Sequence, residues 1–213
     1  MNSLSRGILI AFEGIDGSGK TTQIHKVAEC LRELNYPVTV THEPNPNSPY
    51  SQLIQQKVKK QRDQVSPEQE LEWYTEDRRW DLENNILPAL ERNELVLVDR
   101  YYMSSAAYQG ALKVFSLDYV LEKNSFAKRP DLWIILDVSV KLGQSRLGMR
   151  DKRNDDQLEK TEYQKLVLVN YQRLSEMDLG GQVVWIDASI EEAQLTQVIG
   201  QTIIDFLKAY VIH

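Results

Sequence analysis

Five short runs of almost continuously apolar residues recur along the chain, at positions 8–12, 38–41, 95–98, 132–138 and 183–186. Runs of this length without polar alternation are typical of strands that are buried on both faces of a sheet. Segments with the apolar spacing of helices separate these runs. This alternation predicts an α/β fold, in which five parallel strands form a sheet with helices on both faces.

Several predicted helices begin at capping signals. Ser66 stands three residues before Gln69, and Ser189 stands three residues before Glu192. Serine followed at this spacing by Glu or Gln is the pattern of a capping box, in which each residue bonds the backbone N–H of the other. Ser139 directly follows the fourth apolar run and can cap the next helix with its hydroxyl. These signals place three helix starts at or just after the ends of loops.

The longest helical pattern predicts a helix from about residue 67 to about residue 87, with Pro88 near its end. A wholly polar stretch at 150–157 predicts a loop between two helices. The chain contains no internal repeat, no low-complexity tract and no linker long enough to divide it. The sequence therefore predicts a single domain over residues 1–213.

The first apolar run leads directly into the pattern G-x-x-x-x-G-K-[ST] at residues 14–21, and a helical pattern follows. Strand, glycine-rich loop and helix in this order are the context of a phosphate-binding P-loop. In such a loop the backbone N–H groups and the helix N-terminus surround the phosphates, and the lysine and the hydroxyl reach the outer phosphates and Mg²⁺. The predicted ATP-binding residues are Gly14, Ile15, Asp16, Gly17, Ser18, Gly19, Lys20, Thr21 and Thr22.

Ligands of parallel α/β sheets bind beyond the carboxyl ends of the strands. Asp99 ends the third apolar run, so we expect it beside the P-loop, where it and Thr21 would hold the metal. Arg100 follows and suits a transferred or accepting phosphate. An arginine at this position favours a phosphate-bearing acceptor over water. A structural Asp–Arg pair at the strand end is the alternative.

Composition narrows these options. The formal net charge is −6, which argues against a broad nucleic-acid-binding surface. No apolar run approaches the ~18 residues needed to span a membrane, and no signal-peptide segment precedes the first strand. Cys30 is the single cysteine, and we expect it to be buried on the apolar face of the first helix. The default location is the cytoplasm.

Several segments together resemble the thymidylate kinases, a family of P-loop nucleoside monophosphate kinases. Residues 12–23 resemble the opening signature of that family almost residue for residue, and residues 99–110 resemble its second signature. The segments 74–78 and 86–90 are similar to the part that carries an aromatic residue and an arginine for the base. The resemblance extends over nearly the whole chain. It implies a three-layer P-loop kinase fold with a small lid at about 146–158, and a homodimer.

The activity implied by the resemblance is transfer of a phosphoryl group from ATP to dTMP, which gives dTDP for dTTP biosynthesis, with Mg²⁺ as cofactor. Arg100 would hold the acceptor phosphate, and Asp16 would reach the sugar 3′-hydroxyl. Tyr74 would stack on thymine. The other substrate contacts that the resemblance implies would come from Glu43, Arg78, Ser105, Tyr108 and Gln109.

Cations on the lid complete the expected site. The P-loop contains no arginine, and family members of this kind carry the catalytic arginine on the lid, so Arg150 and Arg153 join Lys20 and Arg100 as predicted catalytic residues. Two positions depart from the family pattern. His42 stands where an arginine is usual before Glu43, and Gln157 replaces an arginine of the lid.

Two other functions stay open at this level. A deoxynucleoside kinase, or a kinase for another pyrimidine monophosphate, would share most of these motifs. The former would need a carboxylate base for a neutral 5′-hydroxyl, for which Glu43 is the obvious candidate. A nucleotide-binding module with weak or no turnover is the alternative of another class.

Overall fold

The computed structural model describes residues 3–61, 64–148 and 161–212. Its centre is a sheet of five parallel strands in the order β3-β4-β2-β5-β6. These strands are β2 (Ile8–Glu13), β3 (Val38–His42), β4 (Leu95–Asp99), β5 (Leu132–Asp137) and β6 (Gln182–Asp187). Four of them contain a predicted apolar run, and β5 covers all but the last residue of the run at 132–138. The parallel arrangement confirms the predicted fold class. Two terminal segments, β1 (Ser3–Leu4) and β7 (Val211–Ile212), pair antiparallel beside it.

Helices connect the strands. They are α1 (Lys20–Glu33), α2 (Pro49–Leu53), α3 (Pro67–Asp81), α4 (Leu87–Glu91), α5 (Tyr102–Ala111), α6 (Leu117–Lys123), α7 (Val140–Gly148), α8 (Thr161–Ser175) and α9 (Glu192–Leu207). The strands β2 and β4 are buried along their whole length, as their apolar runs require. The sheet therefore carries the core of the described chain, and its carboxyl edge is where loops can hold ligands.

The long helix after Ser66 differs from the prediction at its far end. Its start is correct, because the Ser66 hydroxyl accepts from Gln69 N and the Gln69 side chain accepts from Ser66 N. Its helical backbone does not end near Pro88, however. A π-helical turn, Leu82–Ile86, follows α3 directly, and α4 continues through Pro88 as far as Glu91. Since Pro88 lies in the first turn of α4, its missing N–H breaks no bond of that helix.

Two further expectations are wrong. Cys30 is exposed, since the buried face of α1 is formed by Ile24, Val27 and other neighbours and Cys30 lies off it. Ser189 does not cap the last helix. The cap of α9 is Glu191, whose carboxylate accepts from the backbone N–H groups of Ala193 and Gln194. Ser139 is confirmed as a cap, because its hydroxyl accepts from Leu142 N.

Candidate active site

The loop at 14–21 joins β2 to α1 at the centre of the sheet. Gly17 has a φ of 78°, and a Cβ there would lie 2.2 Å from the Gly143 carbonyl oxygen of α7. Only glycine combines this left-handed backbone with such a close approach. The loop is thus shaped by its own glycines and by the backbone of a neighbouring helix.

Lys20 is folded back onto this loop. Its ammonium donates to the carbonyl oxygens of Gly14 and Ile15 at 2.9 Å each, and to the Ser18 hydroxyl at 3.3 Å. Burial, together with the nearby Arg100 guanidinium, lowers the pKa of Lys20 to about 8. Nearby carboxylates oppose this shift. The geometry places a cation at the point where a loop of this kind receives the outer phosphates of a nucleotide.

Thr21 and Asp99 meet as predicted at the adjoining ends of α1 and β4. The Thr21 hydroxyl donates to Asp99 Oδ2 at 2.6 Å. The other carboxylate oxygen, Asp99 Oδ1, is buried and has no hydrogen-bond partner. A hydroxyl and an unpartnered carboxylate oxygen are the kind of hard oxygen ligands that suit Mg²⁺, which completes its octahedron with water and phosphate oxygens. The described residues contain no cluster of three or more His, Cys, Asp or Glu side chains suited to a metal.

Arg100 lies across the loop from Lys20. Its guanidinium pairs with Asp16 and donates to the Ser104 hydroxyl at 3.3 Å. The same guanidinium stands 5.0 Å from the centre of the Tyr108 ring. Burial alone would raise the pKa of Asp16, but Arg100 and Lys20 outweigh burial and lower it. Asp16 is therefore held as a carboxylate between two cations.

Arg78 and Glu43 form a buried ion pair deeper in the site, with side chains that are 2% and 3% exposed. Arg78 also donates to the Ser105 hydroxyl at 3.1 Å and to Asn124 Oδ1. Burial raises the pKa of Glu43, and Arg78 opposes that shift. Glu43 Oε1 is buried without a hydrogen-bond partner, as are both polar atoms of the Gln109 amide. These atoms are placed to accept from, or donate to, a bound molecule.

One cavity of about 440 Å³ joins these groups. Most predicted site residues line it, namely Asp16, Gly17, Gly19, Lys20, Thr21, Thr22, Glu43, Tyr74, Arg78, Asp99, Arg100, Ser105, Tyr108 and Gln109. Gly14, Ile15 and Ser18 are not part of its lining, but all three accept a hydrogen bond from the Lys20 ammonium. His42 does line it. A phosphate-binding end and an aromatic, amide-bearing end open into this one cavity.

The structure adds residues that sequence reasoning missed. Gln55, Lys59, Glu70 and Leu147 also line the cavity. The Gln164 amide on α8 donates to Asp16 Oδ2 at 3.1 Å. These positions carry no local motif, and their partners are distant along the chain, so no pattern in the sequence identified them.

The expected lid is described only at its first residues. Arg146, on α7, donates to the Ala188 carbonyl oxygen at 2.9 Å and reaches that of Gly17 at 3.5 Å. Arg150, Arg153 and Gln157 lie outside the described residues. The described part thus ties α7 to the P-loop.

Comparisons with known proteins agree with this arrangement. Residues 12–199 match the family model described as thymidylate kinase. A thymidylate kinase of Desulfotalea psychrophila is 41% identical over 169 residues, which are 79% of this chain and 82% of the relative. A probable thymidylate kinase of Pyrococcus abyssi is 40% identical over 192 residues, 88% of this chain and 92% of the relative. One from Archaeoglobus fulgidus is 40% identical over 161 residues, 75% and 78% of the two chains.

Proposed function

Because this chain belongs to the thymidylate kinase family, we propose that its cavity carries out the reaction of that family with the residues described above. The chain is a kinase that transfers the γ-phosphoryl group of ATP to dTMP and yields ADP and dTDP. One observation carries the assignment of the site. A P-loop with its lysine opens into the same cavity as a second cation, Arg100, and an end lined by Tyr74 and Gln109.

ATP would occupy the P-loop end. Backbone N–H groups of residues 14–22 would surround its phosphates, and Lys20 would neutralise charge on the outer ones. Thr21 and Asp99 would hold Mg²⁺, which would supply positive charge to neutralise the phosphates. The unpartnered Asp99 Oδ1 supports this placement.

The acceptor would occupy the other end. Arg100 would hold the dTMP phosphate, Asp16 would accept from the sugar 3′-hydroxyl, and Tyr108 would pack beside C2′. Tyr74 would stack on thymine, while Gln109 and Arg78 would bond its polar edge. Support comes from the unpartnered Gln109 amide. Glu43 and Ser105 would fix the Arg78 guanidinium, since both already bond it.

The reaction needs little chemistry from side chains. The acceptor is a phosphate oxyanion, so no general base has to remove a proton. Positioning of the two phosphates and neutralisation of charge carry most of the catalysis. Glu43 Oε2 is paired with Arg78, so the base that a nucleoside kinase would require would have to be the other oxygen, Glu43 Oε1.

A substrate panel tests this proposal. ATP is offered with dTMP, dUMP, UMP, CMP and thymidine in turn, with and without Mg²⁺, and ADP release is followed. We expect the highest kcat/KM with dTMP and loss of turnover when a chelator removes the metal. Preference for thymidine over dTMP would assign the chain to the nucleoside kinases. No turnover of any acceptor would favour the nucleotide-binding module.

The lid arginines stay part of the proposal. Arg150 and Arg153 would bring positive charge to the transferred phosphoryl group, which is the role that the P-loop, lacking an arginine, leaves open. We expect Arg150→Ala or Arg153→Ala to lower kcat at saturating substrates by at least about tenfold. Unchanged kcat in both variants would remove the lid arginines from the mechanism.

A homodimer and a cytoplasmic location also remain proposals. Leu166 and Val169 are exposed on α8 and lie about one helical turn apart, which supports a contact between copies. Sedimentation velocity at micromolar concentration tests the dimer.

No helix in the described ranges combines the length and apolar character needed to cross a bilayer.

A further inference from the structure

Glu13 is a buried carboxylate to which the proposed mechanism assigns no role. It is the last residue of β2, immediately before Gly14 of the P-loop, and its exposure is 0%. A fully buried carboxylate requires hydrogen bonds to all its oxygens if its burial is not to be costly. The partners of Glu13 come from other elements, and they converge on the segment that carries Arg100.

Glu13 Oε1 caps a helix that belongs to another part of the chain. It accepts from Tyr101 N at 2.9 Å and from Ser104 N at 3.1 Å. These N–H groups lie at the start of α5, whose own N-cap residue, Tyr101, provides no capping side chain. Ser104 N also donates to the Tyr101 carbonyl oxygen at 3.0 Å, whereas Glu13 Oε1 is the acceptor for Tyr101 N. An anion at this place accepts from these donors and compensates the helix dipole. The cap of α5 is therefore provided by β2.

Arg100 stands directly before these capped residues, in a left-handed backbone conformation with a φ of 67°. Its backbone N–H donates to the Phe12 carbonyl oxygen at 2.9 Å. Non-glycine residues adopt this conformation only where the surroundings hold it. Here two hydrogen bonds flank the Arg100 Cα: Arg100 N donates to the Phe12 carbonyl oxygen, and Tyr101 N donates to the Glu13 carboxylate.

The guanidinium of Arg100 is connected to the same carboxylate. It donates to the Ser104 hydroxyl at 3.3 Å, and that hydroxyl donates to Glu13 Oε2. The Tyr171 hydroxyl donates to the same oxygen at 2.9 Å. Both the backbone and the side chain of Arg100 thus reach Glu13 through short chains of hydrogen bonds.

We propose that Glu13 is a positioning residue for the transfer reaction, which holds the Arg100 guanidinium at a fixed place relative to the P-loop. It touches neither substrate and acts through Arg100. This inference rests on the proposed function, in which Arg100 holds the acceptor phosphate. Because Gly14 follows Glu13 in the chain, one buried carboxylate joins the loop for the donor to the arginine for the acceptor. Errors of about 1 Å in such a placement can lower a rate by roughly 10²-fold.

Two conservative variants separate the effect of the length of the Glu13 side chain from the effect of its charge. Glu13→Gln keeps an oxygen at the same distance, which can accept from Tyr101 N and Ser104 N. Glu13→Asp keeps the charge but withdraws the oxygens by one methylene. We expect Glu13→Asp to lower kcat/KM for dTMP by about 30-fold or more, with KM for ATP within about twofold, and Glu13→Gln to stay within about fivefold of the parent.

Asp131→Asn is the matched control. Asp131 Oδ2 accepts from Leu9 N at 2.8 Å near the opposite end of β2, so it also holds this strand through a side-chain carboxylate. We expect its kinetics to equal those of the parent, whatever its melting temperature. A similar kinetic split in Asp131→Asn would assign the effect to general loosening of the sheet and overturn the proposal.

A double-mutant cycle tests the route through Arg100. If Glu13 acts through Arg100, Glu13→Asp has little further effect on dTMP kcat/KM in an Arg100→Ala background, whereas independent effects would multiply. Should Glu13→Asp fail to fold, Ser104→Ala interrupts the connection and leaves Glu13 in place. We then expect about a tenfold loss in dTMP kcat/KM at unchanged KM for ATP.

The outcomes distinguish this inference from the proposed function. If the parent does not phosphorylate dTMP, the proposed function fails. If the parent is active and Glu13→Asp, or its substitute Ser104→Ala, affects both substrates equally or neither, only the positioning role is overturned. A larger loss in Glu13→Gln than in Glu13→Asp, or multiplicative effects in the cycle, would overturn it as well.

Discussion

Four charged groups are buried together behind the acceptor end of the cavity. The guanidinium of Arg78 pairs with Glu43, the carboxylates of Asp77 and Asp81 are buried nearby, and all four residues are at most 5% exposed. One cation does not neutralise three carboxylates in a poorly solvated region. Neutral donors compensate in part, since Thr41 and Asn45 donate to Asp81. Burying the remaining negative charge nevertheless lowers the stability of the folded chain.

Asp77 is the member whose substitution tests that cost. Burial raises the pKa of Asp77 from 3.8 to about 6, with Asp81 contributing to the rise and Arg78 opposing it. Below about pH 3 the group is protonated in both the folded and the unfolded chain. As the pH rises from about 4 to 6, the unfolded chain ionises more readily, so the wild type loses stability. Above pH 6 that loss is complete.

We therefore expect Asp77→Asn, which retains an oxygen for Asn45 N, to be more stable than the wild type at pH 7.5 and equal at about pH 3. The difference at high pH is at most about 3 kcal/mol. Urea unfolding at several pH values measures it. A difference independent of pH would mean that Asp77 is not an ionised, buried group at neutral pH.

Arg100 is the residue for which the largest kinetic effect is expected. Arg100→Ala removes the cation proposed for the acceptor phosphate, so kcat/KM for dTMP should fall by at least about 10²-fold while KM for ATP changes little. Arg79→Ala is the control, because Arg79 lies on α3 beside Arg78 but turns to Glu76 and to the Phe126 ring. Equal kinetics in the two variants would return Arg100 to a structural Asp–Arg pair.

Among single residues, the sequence identified site residues that belong to local motifs, and it missed those whose contacts are distant along the chain. Lys20, Thr21 and Asp99 stand in recognisable patterns beside strands, and the structure brings them together. Glu13 lies beside the P-loop too, but its partners are 88 to 158 positions away. Nothing within a local window indicates such contacts. The prediction that Cys30 is buried is wrong for another reason. The buried face of α1 is narrow and does not include this position.

At the scale of elements, the contact between α7 and the P-loop has the least tolerance. A Cβ on Gly143 would lie 2.6 Å from the Asp16 carbonyl oxygen, which is backbone and cannot swing away. The two backbones are therefore in direct contact. A side chain at this position would displace the residues that are proposed to hold the phosphates and the sugar.

We expect Gly143→Ala to raise KM for ATP and for dTMP together and to lower stability by about 1–3 kcal/mol. Gly200→Ala is the matched control, since Gly200 lies within α9 and a Cβ there meets no atom within 4 Å. That variant should gain about 0.5–1 kcal/mol, because alanine is the better helix former. Steady-state kinetics and denaturant unfolding report both effects. Unaltered KM values in Gly143→Ala would show that the contact between α7 and the P-loop does not affect substrate binding.

The boundaries of elements were predictable where caps are local. The capping box at Ser66 is correct because its two bonds span only three residues. The π-helical turn Leu82–Ile86 was not predicted, since proline usually signals the end of a helix and no residue signals a change of helical register. At α9 the sequence predicted Ser189 as the cap, but the helix begins two residues later and the carboxylate of Glu191 caps it.

At the scale of the whole molecule, apolar runs predicted the number and direction of the strands in the main sheet but not their order. Periodicity carries no information on which strands are neighbours. In the structure β2 lies between β4 and β5, although neither is close to it in the chain. That position explains the site, because the loop after a central strand lies where connections leave in opposite directions.

The pairing of β1 with β7 allows a test of whether this distant part of the molecule affects the active site. β1 and β7 pair through Leu4 and Val211, the Arg6 guanidinium lies 4.7 Å from the centre of the Tyr210 ring, and Leu4 is 2% exposed. Deleting residues 210–213 exposes Leu4, so we expect the melting temperature to fall by about 5 °C. The kinetics should not change, because none of these residues lines the cavity. A change in KM would link the termini to the site.

The central place of β2 has a consequence for synthesis on the ribosome. Ile8–Glu13 is synthesised before both of its neighbours in the sheet, Leu95–Asp99 and Leu132–Asp137. At about 5–20 residues per second, this apolar segment waits on the order of ten seconds for its second partner. During that interval it is a natural binding site for chaperones. Nascent chains arrested before residue 130 should therefore be sensitive to protease, and chains that extend past β6 should become resistant.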